Sequence, residues 1–208
     1  MYLSERSGVG LVRSMVKTRE MLNPPRPPGL HLSDVVQSLI RTLRLAKTYT
    51  NDHDEENDLQ PMFWEMGCVW EDTVTLTLHR LYPSSYRPIP RQQDGIWCSP
   101  DWFRPIYHST IDEIKLTWTK HTDITSPKIQ AYLWQLKAYM YVWNATRGCL
   151  HVGYVRGNYA DHPVDCRQYI VRCTRKELKE HWEDLLAHAR DTGMFSGGKY
   201  LGAEGVND

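Results

Sequence analysis

No stretch of the sequence reaches the roughly eighteen apolar residues that a membrane-spanning helix needs. The N-terminus lacks the charged-then-apolar order of a secretory signal. A C-x-x-C pair is missing, and with it the spacing of a structural zinc site. The five cysteines, Cys68, Cys98, Cys149, Cys166 and Cys173, are odd in number and scattered, which suits a reduced interior better than a disulfide framework. Excess charge of one sign is lacking too. With 25 Lys and Arg against 25 Asp and Glu, a polyanionic partner must be met by a local basic patch and not by a global field. No internal repeat or low-complexity tract is evident. These absences predict a cytoplasmic protein without membrane attachment, and 208 residues at 41% hydrophobic can bury one substantial core.

What is present sorts into an arm, a domain and a tail. Residues 1–29 form a polar lead-in that closes on "NPPRPPG", too proline-dense for helix and expected to run extended. Residues 30–193 carry the elements of one domain, and the glycine-rich 194–208 reads as a mobile tail. In "LHLSDVVQSLIRTLRLAKTY", Ser33 or Asp34 is a plausible N-cap for a helix with Val36, Leu39, Ile40 and Leu43 at helical spacing. The acidic "NDHDEEND" at 51–58 reads as a solvated turn, since the glycine and the length of a calcium loop are missing. A second helix follows, with Phe63, Met66, Val69 or Trp70, Val74 and Leu78 near period 3.6.

From Arg87 to Lys120 prolines break the chain into short strands, and "TIDEIKLTW" alternates. "SPKIQAYLWQLKAYMYVW" opens a helix with Ser126 as cap and Pro127 at its first position, and carries Ile129, Leu133, Leu136, Met140 and Trp143 as a stripe. Leu150, Val152 and Tyr154 mark another strand, "RQYIVRCT" a further one, and Thr174 with Glu177 a capping box before a closing helix that buries Leu178, Trp182 and Leu185. Helices, a strand cluster, a helix, two strands and a helix predict an α/β fold with a mixed sheet between helices.

Two charged groups interrupt the strand cluster. Period two puts Asp112, Ile114, Leu116 and Trp118 on one face of a strand and Ile111, Glu113, Lys115 and Thr117 on the other. The first face can make core. Asp101, in "SPD", lies on a segment able to pair with 110–118 as a hairpin, so that Asp101 and Glu113 converge. Hard divalent cations take carboxylate oxygens, and a nearby lysine can position an attacking water.

"SPD" with "EIK" resembles the signature of the PD-(D/E)XK nuclease superfamily. "WQLKAYMY" supplies Gln135 and Tyr139, similar to the Q-x-x-x-Y element of the branch that holds phage lambda-type exonucleases and RecB-type nuclease domains. "MGCVWED" resembles that branch's G-x-x-x-E helix, with Gly67 and Glu71. The resemblance spans roughly residues 30–160 and implies a restriction-endonuclease-like α/β/α core with a central mixed sheet. It implies Mg2+ or Mn2+ held by Asp101, Glu113, Glu71 and the Ile114 carbonyl, with His31 as a further candidate. Lys115 would orient the water, and Gln135 and Tyr139 would complete the site and contact DNA. Trp70 stands where related iron–sulfur nucleases carry histidine, and the cysteine spacing differs from theirs, so no cluster is expected. Basic residues beside aromatics, Arg87, Arg91, Arg104, Lys120, Lys128 and Arg156, are candidates for phosphate contacts, and Lys120, Lys128 and Arg104 stand foremost. The resemblance thus implies DNA as partner and leaves room for a homo-oligomer or a recombination protein. It also implies a viral or mobile-element origin, with the host cytoplasm as location, and a deoxyribonuclease acting from DNA ends. A structure-specific endonuclease and an inactive DNA-binding module are the alternatives.

Overall fold

The computed structural model describes residues 26–43, 60–105, 109–118, 124–155 and 164–195. Residues 1–25 of the lead-in, the acidic turn at 51–58, Lys120, Arg156 and residues 196–208 lie outside the described residues. The elements run β1 (Leu30–His31), α1 (Leu32–Thr42), α2 (Gln60–Leu81), β2 (Arg91–Gln93), β3 (Ile96–Cys98), β4 (Trp102–Arg104), β5 (Thr110–Thr117), α3 (Pro127–Val142), β6 (Arg147–Val155), β7 (Val164–Arg172) and α4 (Arg175–Asp191). No helix among the described residues is long and apolar enough to cross a membrane.

The strands form two mixed sheets. A small one has the order β1-β3-β2 and a larger one β4-β5-β6-β7. In the small sheet β2 and β3 are joined by Asp94 and Gly95, both at positive φ (50° and 82°), the pairing that a two-residue hairpin turn demands. The Asp94 carboxylate then accepts from Trp182 Nε1 of α4 at 2.8 Å, tying this sheet to the helical layer. In the larger sheet β5 and β6 are parallel, joined through α3, while β4 and β7 flank them antiparallel.

Two glycines on β6 locate the layers. A Cβ on Gly148 would meet Met140 and Leu136 of α3 at 2.7 and 2.9 Å, whereas one on Gly153 would meet Trp70 of α2 at 2.9 Å. The two residues lie five positions apart on one strand and so face opposite ways. Helices therefore close on both faces of the sheet, and the fold is α/β/α. On the α3 side, α1, α3 and α4 pack together through Val35, Val36, Ile40, Leu136, Met140, Leu178, Trp182 and Leu185, all buried. Each such side chain contributes about 1.5–3 kcal/mol on leaving water.

Three details stand beside the sequence reading. His31, not Ser33 or Asp34, holds the N-cap position of α1, and Asp34 reaches back as acceptor for its backbone N–H. On α2 Trp70, the alternative to Val69, turns inward on the face that also carries Phe63, Val74 and Leu78, while Met66 and Val69 are exposed. Met194 and Phe195 pack against the core, extending the domain two residues past Gly193.

Candidate active site

The β4–β5 hairpin builds the centre of the site. Its ladder pairs Trp102 with Asp112 and stops there, so the next position outward sets Asp101 opposite Glu113. With β4 ended, the Ile114 N–H has no ladder partner on that edge, and it donates to Asp101 Oδ2 at 2.6 Å. A residue's N–H and C=O project to the same side of an extended strand, so the Ile114 carbonyl faces the same edge.

Glu113 is fully buried, and neither of its oxygens meets a hydrogen-bond donor in bonding geometry. Its partner is the Lys115 ammonium, in ion-pair contact with Oε1, which also stands 3.7 Å from Asp101 Oδ2. Burial, with repulsion from Asp101, pushes the Glu113 carboxyl up to about 8 despite the lysine. Burial and Asp101 likewise push Glu71 on α2 up to about 7, against the pull of Arg87, whose guanidinium lies 2.7 Å from it. Burial works to discharge Lys115, but Asp101 and Glu113 overcome it and hold the ammonium well above its ordinary range. Asp101 and Glu113 thus share one half-buried lysine, with Glu71 on Arg87 beside them, and the three carboxylates are short of positive charge. Their oxygens do not all close within 4.8 Å of one another, since Lys115 lies between two of them.

One face of α3 covers the centre. Gln135 Nε2 donates to the Tyr139 hydroxyl at 2.8 Å, and burial next to Glu113 raises the phenol's pKa well above 10. Tyr139 is 3% exposed, so it supports Gln135 and the carboxylates from beneath and does not offer a surface to DNA, as the sequence reading had it. Three and seven residues before Gln135 stand Tyr132 and Lys128. The Lys115 ammonium lies over the Tyr132 ring at 6.0 Å, and Lys128 Nζ donates to Thr117 Oγ1 at 2.5 Å. Tyr132 escaped the sequence reading, although its spacing from Gln135 placed it on that face.

Other expected residues are engaged elsewhere. Arg104, proposed for phosphate, holds both oxygens of buried Asp112 at 2.6 and 2.7 Å, on the sheet face opposite Glu113. The structure redirects it because a fork this well matched to a carboxylate is not free for another anion. His31 donates Nε2–H to the Pro27 carbonyl at 2.8 Å and caps α1. Asp112 is the residue that sequence reasoning passed over. Its Oδ1 also meets His151 Nε2 at 2.9 Å, and Gln168 meets His151 Nδ1 at 3.2 Å. With Cys149, these give three metal-ligand atoms within 4.8 Å of one another. The fit is poor, because a cation there must displace the guanidinium from Asp112, whereas Glu113, with Lys115 on Oε1 and no donor on Oε2 among the described residues, suits a hard divalent cation. A cavity lined by Thr146, Arg147, Arg172, Cys173, Thr174 and Glu177, where β6 begins and β7 ends, contains none of the site residues.

No family model matches the chain, and no curated protein does. Solved structures are similar to it. SSO0001 is 15% identical, with 88% of each chain covered and a TM-score of 0.53, a likeness of fold. An alkaline exonuclease from Laribacter hongkongensis is 14% identical, covering 79% of this chain and 89% of that one, with a TM-score of 0.45. A phage-related exonuclease from Haemophilus somnus 129PT is 14% identical over 88% of this chain and 79% of that one, with a TM-score of 0.40. The chain thus resembles, at low identity, structures that include two exonucleases.

Proposed function

We propose that this chain is a metal-dependent deoxyribonuclease of the PD-(D/E)XK kind, hydrolysing DNA from an end. The observation that carries the reading is Glu113: a wholly buried carboxylate whose one partner among the described residues is the Lys115 ammonium on Oε1, with Oε2 left without a donor, beside a second carboxylate at the point where a strand ladder opens. Isolated buried charge is costly, so a group left in this state is one that another ligand completes. Asp101, Glu113, Glu71 and the Ile114 carbonyl would hold Mg2+ or Mn2+, hard ions that take oxygen ligands. When bound, the ion lowers the pKa of water and offsets charge on the phosphoryl oxygens.

The chain's own groups do the remaining work. Lys115, held protonated by its neighbours, donates to the attacking water and to phosphate oxygen and does not itself take a proton. Asp101 fixes the edge of β5 by accepting from Ile114 N–H, so the two carboxylates keep their spacing. Arg87 holds Glu71 in place. Gln135, braced by Tyr139, offers an amide to the strand beside the scissile phosphate, and Lys128 a cation one helical turn before Tyr132.

End-labelled linear DNA and closed circular DNA, incubated in parallel with Mg2+, Mn2+ or EDTA, test the reading. Degradation of the linear DNA alone, abolished by EDTA and by Asp101→Asn, is expected. Cutting of circles would make the chain an endonuclease, and tight binding without cleavage in either metal would make it a binding module.

A further inference from the structure

Access to water ranks the charged side chains of the site. Glu113 is 1% exposed, Asp101 14%, Lys115 24% and Glu71 26%, and Arg87 stands last at 52%. Glu113 is thus the floor of the site and Arg87 the cation at its mouth. The backbone beneath Arg87 is fixed. Tyr86 exchanges both backbone hydrogen bonds with Phe103 of β4, at 3.0 and 2.9 Å, and Pro88 is buried. Beyond that anchor the long side chain keeps its freedom.

The two arginines of the hairpin region hold their carboxylates differently. Arg104 closes on Asp112 with two nitrogens on two oxygens. Arg87 meets Glu71 through one nitrogen, 2.7 Å from Oε1, and the same nitrogen stands 3.9 Å from Oδ1 of the exposed Asp72. A guanidinium carries five N–H donors, so most of those of Arg87 are unused among the described residues.

Glu71 is also one of the carboxylates that the nuclease reading gives to a divalent ion. A guanidinium and a dication held on one carboxylate stand within a few ångströms of each other and repel. Filling the metal site therefore loosens Arg87 from Glu71 and leaves it at the mouth, short of a counter-charge. The anion that enters a nuclease is a phosphodiester, and a guanidinium fork matches two phosphate oxygens.

We propose that Arg87 exchanges partners between the two states of the protein. Without metal it neutralises Glu71; with the metal site filled it turns to a backbone phosphate of the DNA strand at the mouth. The proposal rests on the nuclease reading and adds to it a residue that makes phosphate binding depend on metal binding.

Calorimetry with Mg2+ in the absence of DNA tests the first half. Arg87→Gln should bind Mg2+ about threefold more tightly, on the order of one half-exposed ion pair, and Arg87→Lys, which keeps the charge, should match the parent. Salt titrations test the second half. In EDTA, fluorescence anisotropy should give the parent and Arg87→Gln the same DNA affinity and the same salt dependence. At fixed Mg2+, the slope of log(kcat/KM) against log salt should be shallower in Arg87→Gln by one phosphate contact, about 0.7–0.9, and Arg87→Lys should restore it. If the parent does not cut, the same slope is read from anisotropy in Mg2+. Equal or weaker Mg2+ binding by Arg87→Gln overturns the exchange, since Arg87 then only braces Glu71. An unchanged slope in Mg2+, or one equally reduced in EDTA, overturns it as well. Both signatures without cleavage by the parent remove the nuclease reading and leave the exchange, and cleavage without the signatures does the reverse.

Discussion

Replacing Glu113 by glutamine should stabilise the metal-free protein. The side chain is fully buried, and its carboxyl is pushed up to about 8 by burial first and by Asp101 second. In the unfolded chain the same group ionises near 4.5. Its contribution to stability is complete below pH 4.5, where both states are protonated, and is lost as pH rises through about 8. At about 1.36 kcal/mol per pH unit, keeping the group protonated at pH 7 costs about 3 kcal/mol. Asp101 and Glu71 share that cost, so about 2 kcal/mol is expected from one substitution, or about 4–8 °C in Tm for a chain of this size. Glutamine keeps the volume and leaves a carbonyl oxygen against the Lys115 ammonium. Thermal melts in EDTA from pH 5 to 8.5 should show the parent falling with pH more steeply than Glu113→Gln, whose remaining slope comes from Glu71 and His151. Added Mg2+ should raise the parent and not the variant. A variant that melts at or below the parent across the range, or that gains as much from Mg2+, refutes the argument.

Lys115→Ala should leave Mg2+ affinity by calorimetry largely in place while cleavage falls about a hundredfold or more, because the ammonium acts on water and phosphate and is not a ligand. Loss of affinity with unchanged turnover per bound ion would reverse that role. Gln135→Ala should raise the DNA concentration needed for cleavage and leave metal titrations unchanged, whereas Tyr139→Phe, which removes a buried acceptor from Gln135, should lower both stability and rate, by about 1–3 kcal/mol if the amide is stranded. Asp112→Asn should cost about 3 kcal/mol in urea melts by breaking the buried end of its pair with half-buried Arg104, without added sensitivity to chelators. His151 carries a pH signature: burial opposes its charge, but Asp112 holds it up to about 9. Its stabilisation is present below 6.5 and should fade as pH rises through about 9, a slope that His151→Gln removes.

Local chemistry in the sequence was read correctly for α3 and β6, though not at the N-cap of α1. Ser126 with Pro127 announces α3, and its stripe from Ile129 to Trp143 is buried as the period requires. Leu150, Val152 and Tyr154 are likewise enclosed. The pairing of the Asp101 segment with β5 followed from turn residues and alternation, and it sets Asp101 opposite Glu113. Periodicity left a choice where apolar residues ring an element: on α2 it offered Val69 or Trp70 and included Met66, and contact with Gly153 decides that Trp70 is the inward one while Met66 is exposed. Arg104 and Tyr139 were misjudged for a related reason. An arginine near aromatics reads as a phosphate contact until its partner is known, and that partner, Asp112, is brought diagonally within reach only by sheet register.

The alternation of β5 explains why the legible and the hidden parts of the site lie one residue apart. Asp112 and Glu113 are adjacent, both wholly buried, and face opposite sides of the sheet. One is saturated, by a guanidinium from β4 and an imidazole from β6, and so crosslinks three strands. The other has a lysine from its own strand on Oε1 and, among the described residues, no donor on Oε2. Sequence pattern treats the two carboxylates alike, since burial and charge are the same. Partners tell them apart: a carboxylate whose valences are filled within the fold holds structure, and one left short of donors in the same strand is where a cation and a phosphate can be accommodated. The saturated side also steadies the unsaturated one, because β4 must stay in register for Asp101 to remain opposite Glu113, and the Arg104 fork on Asp112 fixes that register from beneath.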